Sequence, residues 1–382
     1  LNYRGDIWMD ISGGAFGIIS GGVTNEWSTN LQTSTLTGDT HVQLSGKATA
    51  EHVIGGNNKG ASTTLTGNTN VTVKDNAIVA GAIIGGSTSA HNAVTTITGN
   101  TSVLVTNVQY SNTAQNLDGG LSNSYIIGGS SWSSNTTSGT TIQGSTSATI
   151  NLNGITLSGT EEHNSFVKTI IGGSYGNVNN AGTVNNINGD TSVSIIGREG
   201  ITFTGDIIGG SFENSGQAQY TIGGKSSISI SGGSTFTGNI YGGSYSKVPG
   251  NTGSTMTTAG NITVELGTGT YRGNIYGAGN KGTAGGDVLV SLTGGSVFGA
   301  EGKQSGITIG GSAGAAVEGN RTLELKGTFG DGDFQNVTFT RFDEINIAQE
   351  GSSATIWALT DSPSLTKTGA GTLTLGADAA GA

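Results

Sequence analysis

A chain of 382 residues with 70 Gly, two Pro and 10 % charged residues lacks the composition of a disordered protein, which normally combines high charge with abundant Pro. The net charge of −10 argues against nucleic acid as a partner, because phosphates are bound by clustered Lys and Arg. The absence of Cys excludes disulfides and thiolate metal sites. No run approaches the roughly 20 apolar residues that span a bilayer and no leader opens the chain, so we expect a mature or excised soluble piece without direct membrane insertion.

Two short strings alternate along the chain. In the first, an apolar pair precedes two glycines and a small polar residue, and its copies begin at Val53, Ile83, Ile126, Ile170, Ile207 and Ile240. The second combines a Gly turn with an alternating apolar and polar tail, and its copies begin at Leu36, Leu65, Ile97, Ile142, Ile187 and Ile222. Alternation of period two indicates strands with one buried face, and units this short must stack on their neighbours to bury that face.

These repeats predict an all-β fold, a single-stranded parallel β-helix (β-solenoid) with three short strands per coil. Stacking places equivalent Ile residues about 4.8 Å apart along the axis. Glycine is expected at the corners, where Asp39, Asn68, Asn100 and Asp190 should align in polar ladders. We assign residues 1–328 to the repeat region and residues 329–382 to a C-terminal continuation or cap of the β-helix.

The segment from Leu365 to Leu375 reads LTKTGAGTLTL. It resembles the short strand repeat found near the end of autotransporter passenger domains, over about a dozen residues. The residues that carry the resemblance are Lys367, Gly369, Gly371, Thr372 and Leu373. The resemblance implies export to the bacterial cell surface, an extracellular location on that surface or after secretion, a right-handed β-helix passenger domain, and adhesion or self-association.

Aromatic residues recur just after the double glycines. Tyr175, Phe212 and Tyr245 occupy the same repeat position in successive units, and Trp132 lies one place further on in the preceding unit. In register, their rings would form a stripe with centroids about 5 Å apart. An exposed stripe would bind a glycan or another partner, whereas a covered stripe would stabilise the solenoid by stacking.

Arg4-Gly5-Asp6 is an integrin-type tripeptide, but it matches Arg272-Gly273-Asn274 within the same chain. We therefore interpret it as a repeated turn before the apolar pair rather than as a receptor site. The stretches from Asn107 to Ser124 and from Asn151 to Thr169 vary most in length and are predicted to project as loops, where solenoids usually carry function.

Candidate catalytic groups are few. The nearest carboxylate pairs are Glu161 with Glu162, Asp331 with Asp333, and Asp343 with Glu344, and we interpret them as solvated charge. The histidines fall at unrelated repeat positions without the spacing of a zinc motif; they are His41, His52, His91 and His163. We expect no catalytic residue, metal or cofactor.

The sequence therefore favours a non-catalytic bacterial structural or adhesion module, surface-exposed or secreted, that projects loops and an aromatic stripe. Its expected partners are host or matrix glycans or proteins, or further copies of itself. A carbohydrate-active enzyme on a β-helix stays open as an alternative, since polysaccharide lyases and glycoside hydrolases use the same fold. A self-associating filament or biofilm protein is the other alternative.

Overall fold

A computed structural model describes residues 2–24, 33–58, 62–89, 94–107, 125–133, 139–154, 165–166, 168–178, 183–216, 218–248, 255–299 and 306–376. These residues form strands and turns without a helix, so they contain no helix that could cross a membrane. The strands pair in parallel, each with its equivalent in the next coil, as in strand 69–74 with strand 101–106. This is the parallel β-helix that the repeats predict.

Three long sheets run along the β-helix, and the chain visits five sheets in the order in which they are numbered here. Sheet 1 has ten strands: Asn2–Arg4, Ser34–Thr37, Thr63–Thr66, Val94–Ile97, Gly139–Ile142, Val184–Ile187, Gln219–Ile222, Thr255–Thr258, Thr283–Ala284 and Ala316–Val317. Sheet 2 has twelve: Ile7–Ile11, Thr40–Leu44, Thr69–Lys74, Thr101–Thr106, Thr146–Asn151, Thr191–Ile196, Ser226–Ser231, Ile262–Leu266, Val288–Thr293, Arg321–Lys326, Glu344–Asn346 and Thr366–Thr368. Sheet 4 has twelve: Ala15–Ser20, Thr49–Ile54, Ile78–Val79, Ile83–Ile84, Tyr125–Ile127, Thr169–Ile171, Ile207–Ile208, Ile240–Tyr241, Ile275–Ala278, Ile307–Ser312, Val337–Thr340 and Ala358–Thr360.

Two shorter sheets lie between the long ones. Sheet 3 contains Ser165–Phe166, Thr202–Phe203, Thr235–Phe236, Thr270–Tyr271 and Val297–Phe298. Sheet 5 contains Thr88–Ser89, Ser131–Ser133, Tyr175–Val178, Phe212–Gly216 and Tyr245–Ser246. The coil from 184 to 216 thus has five strands instead of the predicted three, because the segments before and after sheet 4 are themselves extended and pair with their neighbours.

The core consists of ladders of equivalent apolar side chains. In sheet 4 one ladder is in unbroken register and at most 5 % exposed: Val53, Ile83, Ile126, Ile170, Ile207, Ile240, Ile275, Ile309, Phe339 and Leu359. Full burial of each such side chain contributes about 1.5–3 kcal/mol. The predicted stacking of equivalent Ile residues from successive coils is confirmed.

The double glycines mark the corner after sheet 4, where adjacent coils approach too closely for a side chain. A Cβ on Gly85 would lie 2.4 Å from the carbonyl oxygen of Gly128, and a Cβ on Gly128 would lie 2.5 Å from that of Gly172. The buried serine that follows forms its own ladder: the backbone N–H of Ser130 donates to Ser174 Oγ at 3.2 Å, and that of Ser174 donates to Ser211 Oγ at 3.1 Å. The recurring GGS string is therefore a structural corner.

The Asx residues between sheets 1 and 2 form the predicted polar ladder. The Asn68 N–H donates to Asp39 Oδ1 at 2.7 Å, and the Asn100 N–H donates to Asn68 Oδ1 at 2.9 Å. The backbone hydrogen bond from Asn68 lowers the pKa of Asp39. Each coil thus satisfies a backbone N–H of the next coil with a side-chain oxygen.

Asp6 of the Arg-Gly-Asp tripeptide belongs to this same ladder, since its Oδ1 accepts from the Asp39 N–H at 2.9 Å. The prediction that it occupies the turn before the apolar pair is wrong. That turn lies before sheet 4, where Asn274 donates its N–H to Asn239 Oδ1. Ile7 pairs with Thr40 in sheet 2, so two different corners carry similar Gly-Asx-Ile strings. The tripeptide is still a structural turn.

Sheets 2 and 4 continue beyond residue 328. Strand 337–340 pairs with strand 307–312, and strand 344–346 pairs with strand 321–326. Two further strands, Ser353–Ile356 and Thr372–Leu375, pair with each other in a separate two-stranded sheet. The LTKTGAGTLTL segment therefore supplies one strand to sheet 2 and one to this pair.

Candidate binding surface

The predicted aromatic stripe forms in register within sheet 5. Tyr175 pairs with Phe212, and Phe212 with Tyr245, with ring centroids 5.5 and 5.8 Å apart. Tyr175 is 0 % and Phe212 2 % exposed, while Tyr245 is half-buried. The backbone of Trp132 pairs with Gly176, the residue after Tyr175, as the sequence predicts. The side chain of Trp132 lies outside the described part of the structure. Buried rings offer no surface to a glycan, so this geometry fits the stacking alternative.

The stripe packs against two tyrosines of sheet 4. The Tyr125 ring lies 4.5 Å from Tyr175, and the Tyr241 ring lies 4.2 Å from Tyr245. Burial is the main cause that raises the pKa of Tyr175 and Tyr241. The sequence analysis missed both partners: Tyr125 directly precedes an apolar pair, and Tyr241 is the second member of another. The second members Ile171, Ile208 and Tyr241 pack with Tyr175 and Phe212, whereas the first members belong to the main core.

A second aromatic ladder runs through sheet 3 and went unpredicted. Its rings stack at 4.9 to 5.6 Å along the main core: Phe166, Phe203, Phe236, Tyr271, Phe298 and Phe334. The recurring Thr-Phe dipeptides in strands 202–203 and 235–236 were the signal that could have revealed it. Both ladders stabilise the interior.

A carboxylate is buried beside the stripe. Glu213 is 0 % exposed and follows Phe212 directly. It accepts hydrogen bonds at 3.2 Å from the Ala218 N–H and from Ser246 Oγ, which lies in the next coil. Because these contacts join neighbouring coils and the surrounding side chains exclude solvent, Glu213 is a structural group.

The carboxylates considered for catalysis are engaged in local contacts. Their partners are Arg321 for Asp343 (2.6 Å), Thr355 for Asp331 (2.7 Å), the Gly330 N–H for Asp333 (2.8 Å) and Asn320 for Glu344 (3.0 Å). The hydrogen bond from Arg321 is the main cause that lowers the pKa of Asp343. Glu161, Glu162 and His163, with most of the two predicted loops, lie outside the described residues. Within the described ranges no group of three or more His, Asp or Glu could hold a metal ion.

The outward face of sheet 2 contains a groove of about 590 Å³. One wall follows the corner between sheets 1 and 2 and carries Asn68, Asn100, Ser145 and Asp190. The other follows equivalent outward positions of five successive coils: Asn70, Ser102, Ser147, Ser192 and Ser227. Small polar side chains at these positions leave a trough along the axis.

A smaller hollow of about 160 Å³ adjoins the groove, with Asn70 lining both. Trp8 lines this hollow and is 73 % exposed, and its ring stacks on His41 at 3.9 Å with an interplanar angle of 12°. The Gln43 side chain, which also lines it, donates to Asp10 Oδ1 at 2.9 Å. Sequence reasoning passed over Trp8, although its outward position follows from the alternation of the strand Ile7–Ile11.

The sheet 2 groove and the Trp8 hollow together form the candidate binding surface. Comparison with protein-family models, with curated proteins and with solved structures finds no match to this chain.

Proposed function

We propose that this chain is a non-catalytic structural and adhesion module of a bacterial protein, displayed on the cell surface or secreted, that binds host or matrix glycans. The single observation that carries the proposal is the groove along the outward face of sheet 2, which is open, polar and formed on a stack of paired strands. The rings of Tyr175 and Phe212 are buried, so the proposal does not rely on the predicted aromatic stripe.

The stack of coils suits a module that holds a binding surface away from its point of attachment. Sheet 2 has twelve strands. Eleven rises of about 4.8 Å extend it over about 53 Å. Each additional coil adds length without requiring a larger globular core.

The contacts of the candidate carboxylates that the structure describes support a non-catalytic role. A glycoside hydrolase needs two carboxyl groups that converge on one sugar site. Asp343 is held by Arg321, and Glu344 is hydrogen-bonded to Asn320. Asp190, which lines the groove, accepts the backbone N–H of Lys225 at 2.7 Å as part of a corner ladder. These groups serve the stacking of coils.

A glycan array probed with the purified, fluorescently labelled chain tests the proposed function. Binding to a restricted set of glycans is expected, with no release of reducing ends or unsaturated products from polysaccharides. Turnover of any polysaccharide would replace the proposal with the enzyme alternative. Concentration-dependent fibres without glycan binding would replace it with the filament alternative, in which polar faces of neighbouring solenoids pack together.

A further inference from the structure

The sheet 2 groove offers polar groups that other described residues do not use. Ser102 Oγ donates to Asn70 Oδ1 at 2.8 Å. The side chains of Ser147, Ser192 and Ser227 make no hydrogen bond to another described residue, although each is partly exposed. Three hydroxyl groups thus stand in one row, in register and open to solvent.

The spacing of that row is fixed by the stacking of strands. Adjacent parallel strands lie about 4.8 Å apart, so the row from Asn70 to Ser227 spans four rises, or about 19 Å. The spacing between adjacent strands is close to the advance per sugar residue along an extended pyranose polysaccharide. A linear glycan lying along the groove would therefore present successive rings to successive coils.

The charge of the groove restricts what it can hold. Of the described residues that line it, Asp190 alone carries a charge, and that charge is negative. The whole chain has a net charge of −10. An anionic glycan or a nucleic acid would meet no Lys or Arg among these lining residues, whereas a neutral glycan needs only the hydroxyl and amide groups present.

The location of the groove argues against an extended peptide. Peptides that add to sheets pair with the free backbone of an edge strand. The groove instead lies on the face of sheet 2, where the backbone of each strand, such as 146–151, is paired on both sides. A ligand must bind through side chains.

From these observations we infer that the sheet 2 groove binds an uncharged, extended polysaccharide whose chain runs parallel to the β-helix axis, with one sugar ring per coil. The inference rests on the proposed adhesive function and names its ligand class. Ser147, Ser192 and Ser227 hydrogen-bond the sugar hydroxyls. A glycan long enough to pass Asn70 reaches the Trp8 hollow, where the exposed indole packs against the apolar side of a sugar ring.

Isothermal titration calorimetry on the full chain tests this ligand class. The probes are hexasaccharides of β1,4-linked glucose and of β1,4-linked N-acetylglucosamine, with hexagalacturonate as the charged comparator. Binding of at least one uncharged probe, at least tenfold tighter than that of hexagalacturonate, is the expected result. Failure of both uncharged probes to bind at millimolar concentration, or tighter binding of hexagalacturonate, would overturn the inference.

Filling the groove tests its location. Ser147 points outward from a fully paired strand, so Ser147→Trp blocks the trough without entering the core and should weaken binding at least tenfold. Thr221→Trp, at an exposed position on sheet 1, is the matched control and should bind as the wild type does. Trp8→Ala should weaken binding by a smaller factor. Equal affinity of Ser147→Trp and the wild type would place the site elsewhere.

The same variants separate failure of the inference from failure of the proposed function. If Ser147→Trp still binds the array as the wild type does, adhesion stands and the groove is the wrong site. If the wild type binds no glycan on the array, the adhesive function itself fails. Sedimentation velocity adds one outcome: a wild-type dimer that Ser147→Trp disrupts, without glycan binding, would make the groove a contact between copies and overturn the inference.

Discussion

Substitution of Gly128 by Ala introduces one methyl group between two coils. The new Cβ would lie 2.5 Å from the carbonyl oxygen of Gly172 and 2.7 Å from the carbonyl carbon of Ser147. Both are backbone atoms that cannot rotate away, so the coils must separate locally. Overpacking of this kind costs about 1–3 kcal/mol, and weakening the hydrogen bond from the Gly128 N–H to Ile171 O (2.8 Å) adds about 1 kcal/mol. We expect Gly128→Ala to lower the free energy of unfolding by about 2–4 kcal/mol.

Urea unfolding followed by circular dichroism measures this change, with Gly332→Ala as the matched control. A Cβ on Gly332 meets no atom within 4 Å, and this glycine is exposed. The control should unfold within about 0.5 kcal/mol of the wild type, or gain up to about 1 kcal/mol from a stiffer unfolded chain. Equal midpoints for Gly128→Ala and Gly332→Ala would refute the close approach of coils at the double glycines.

Three further predictions concern the interior. Ile171→Ala, at a position 0 % exposed, should cost about 2–5 kcal/mol in the same urea assay because it leaves a cavity, and a loss below about 1 kcal/mol would contradict the packing. Burial raises the pKa of Tyr175, Tyr220 and Tyr271, so the unfolded chain ionises first and the free energy of unfolding should fall as the pH rises above about 10. A urea midpoint that stays flat from about pH 10.5 to 12 would count against the burial of these tyrosines. Burial lowers the pKa of Lys168 from 10.5 to about 8. Between pH 8 and pH 10.5 the Lys168 side chain is therefore protonated in the unfolded chain but neutral in the folded chain. The free energy of unfolding should rise across this pH range by up to about 3 kcal/mol. Lys168→Met should abolish that rise in a pH series of urea midpoints, and an unchanged rise would show that another group causes it.

The features that repeat in sequence could be predicted, because each coil places the same residue in the same environment. Ile170 and its equivalents stack as the alternating tails and apolar pairs indicate. The same logic places Asn68 over Asp39 in a polar ladder. The fold class and the polar ladder at the corner between sheets 1 and 2 therefore follow from the sequence repeat and the amino-acid composition alone.

The direction in which a residue faces after a corner could not be predicted. Tyr175 follows Gly172 and Gly173, and a double glycine permits backbone turns that break the alternation of inward and outward positions. The repeat therefore predicts the register of the aromatic stripe but not its burial.

Two other features could not be predicted either. The strand Thr202–Phe203 was missed because two residues are too few to show a period of two. The two Gly-Asx-Ile corners were confused because only strand pairing distinguishes them.

The most direct test of the stacked coils uses the absence of Cys, which lets two introduced cysteines carry the only spin labels. Asn70 and Ser227 are far apart in sequence but lie in one outward row, four rises apart. Pulsed electron paramagnetic resonance on Asn70→Cys with Ser227→Cys should give a narrow distance distribution centred near 19 Å. A distribution that is broad, or centred at more than about twice that distance, would contradict a single parallel β-helix.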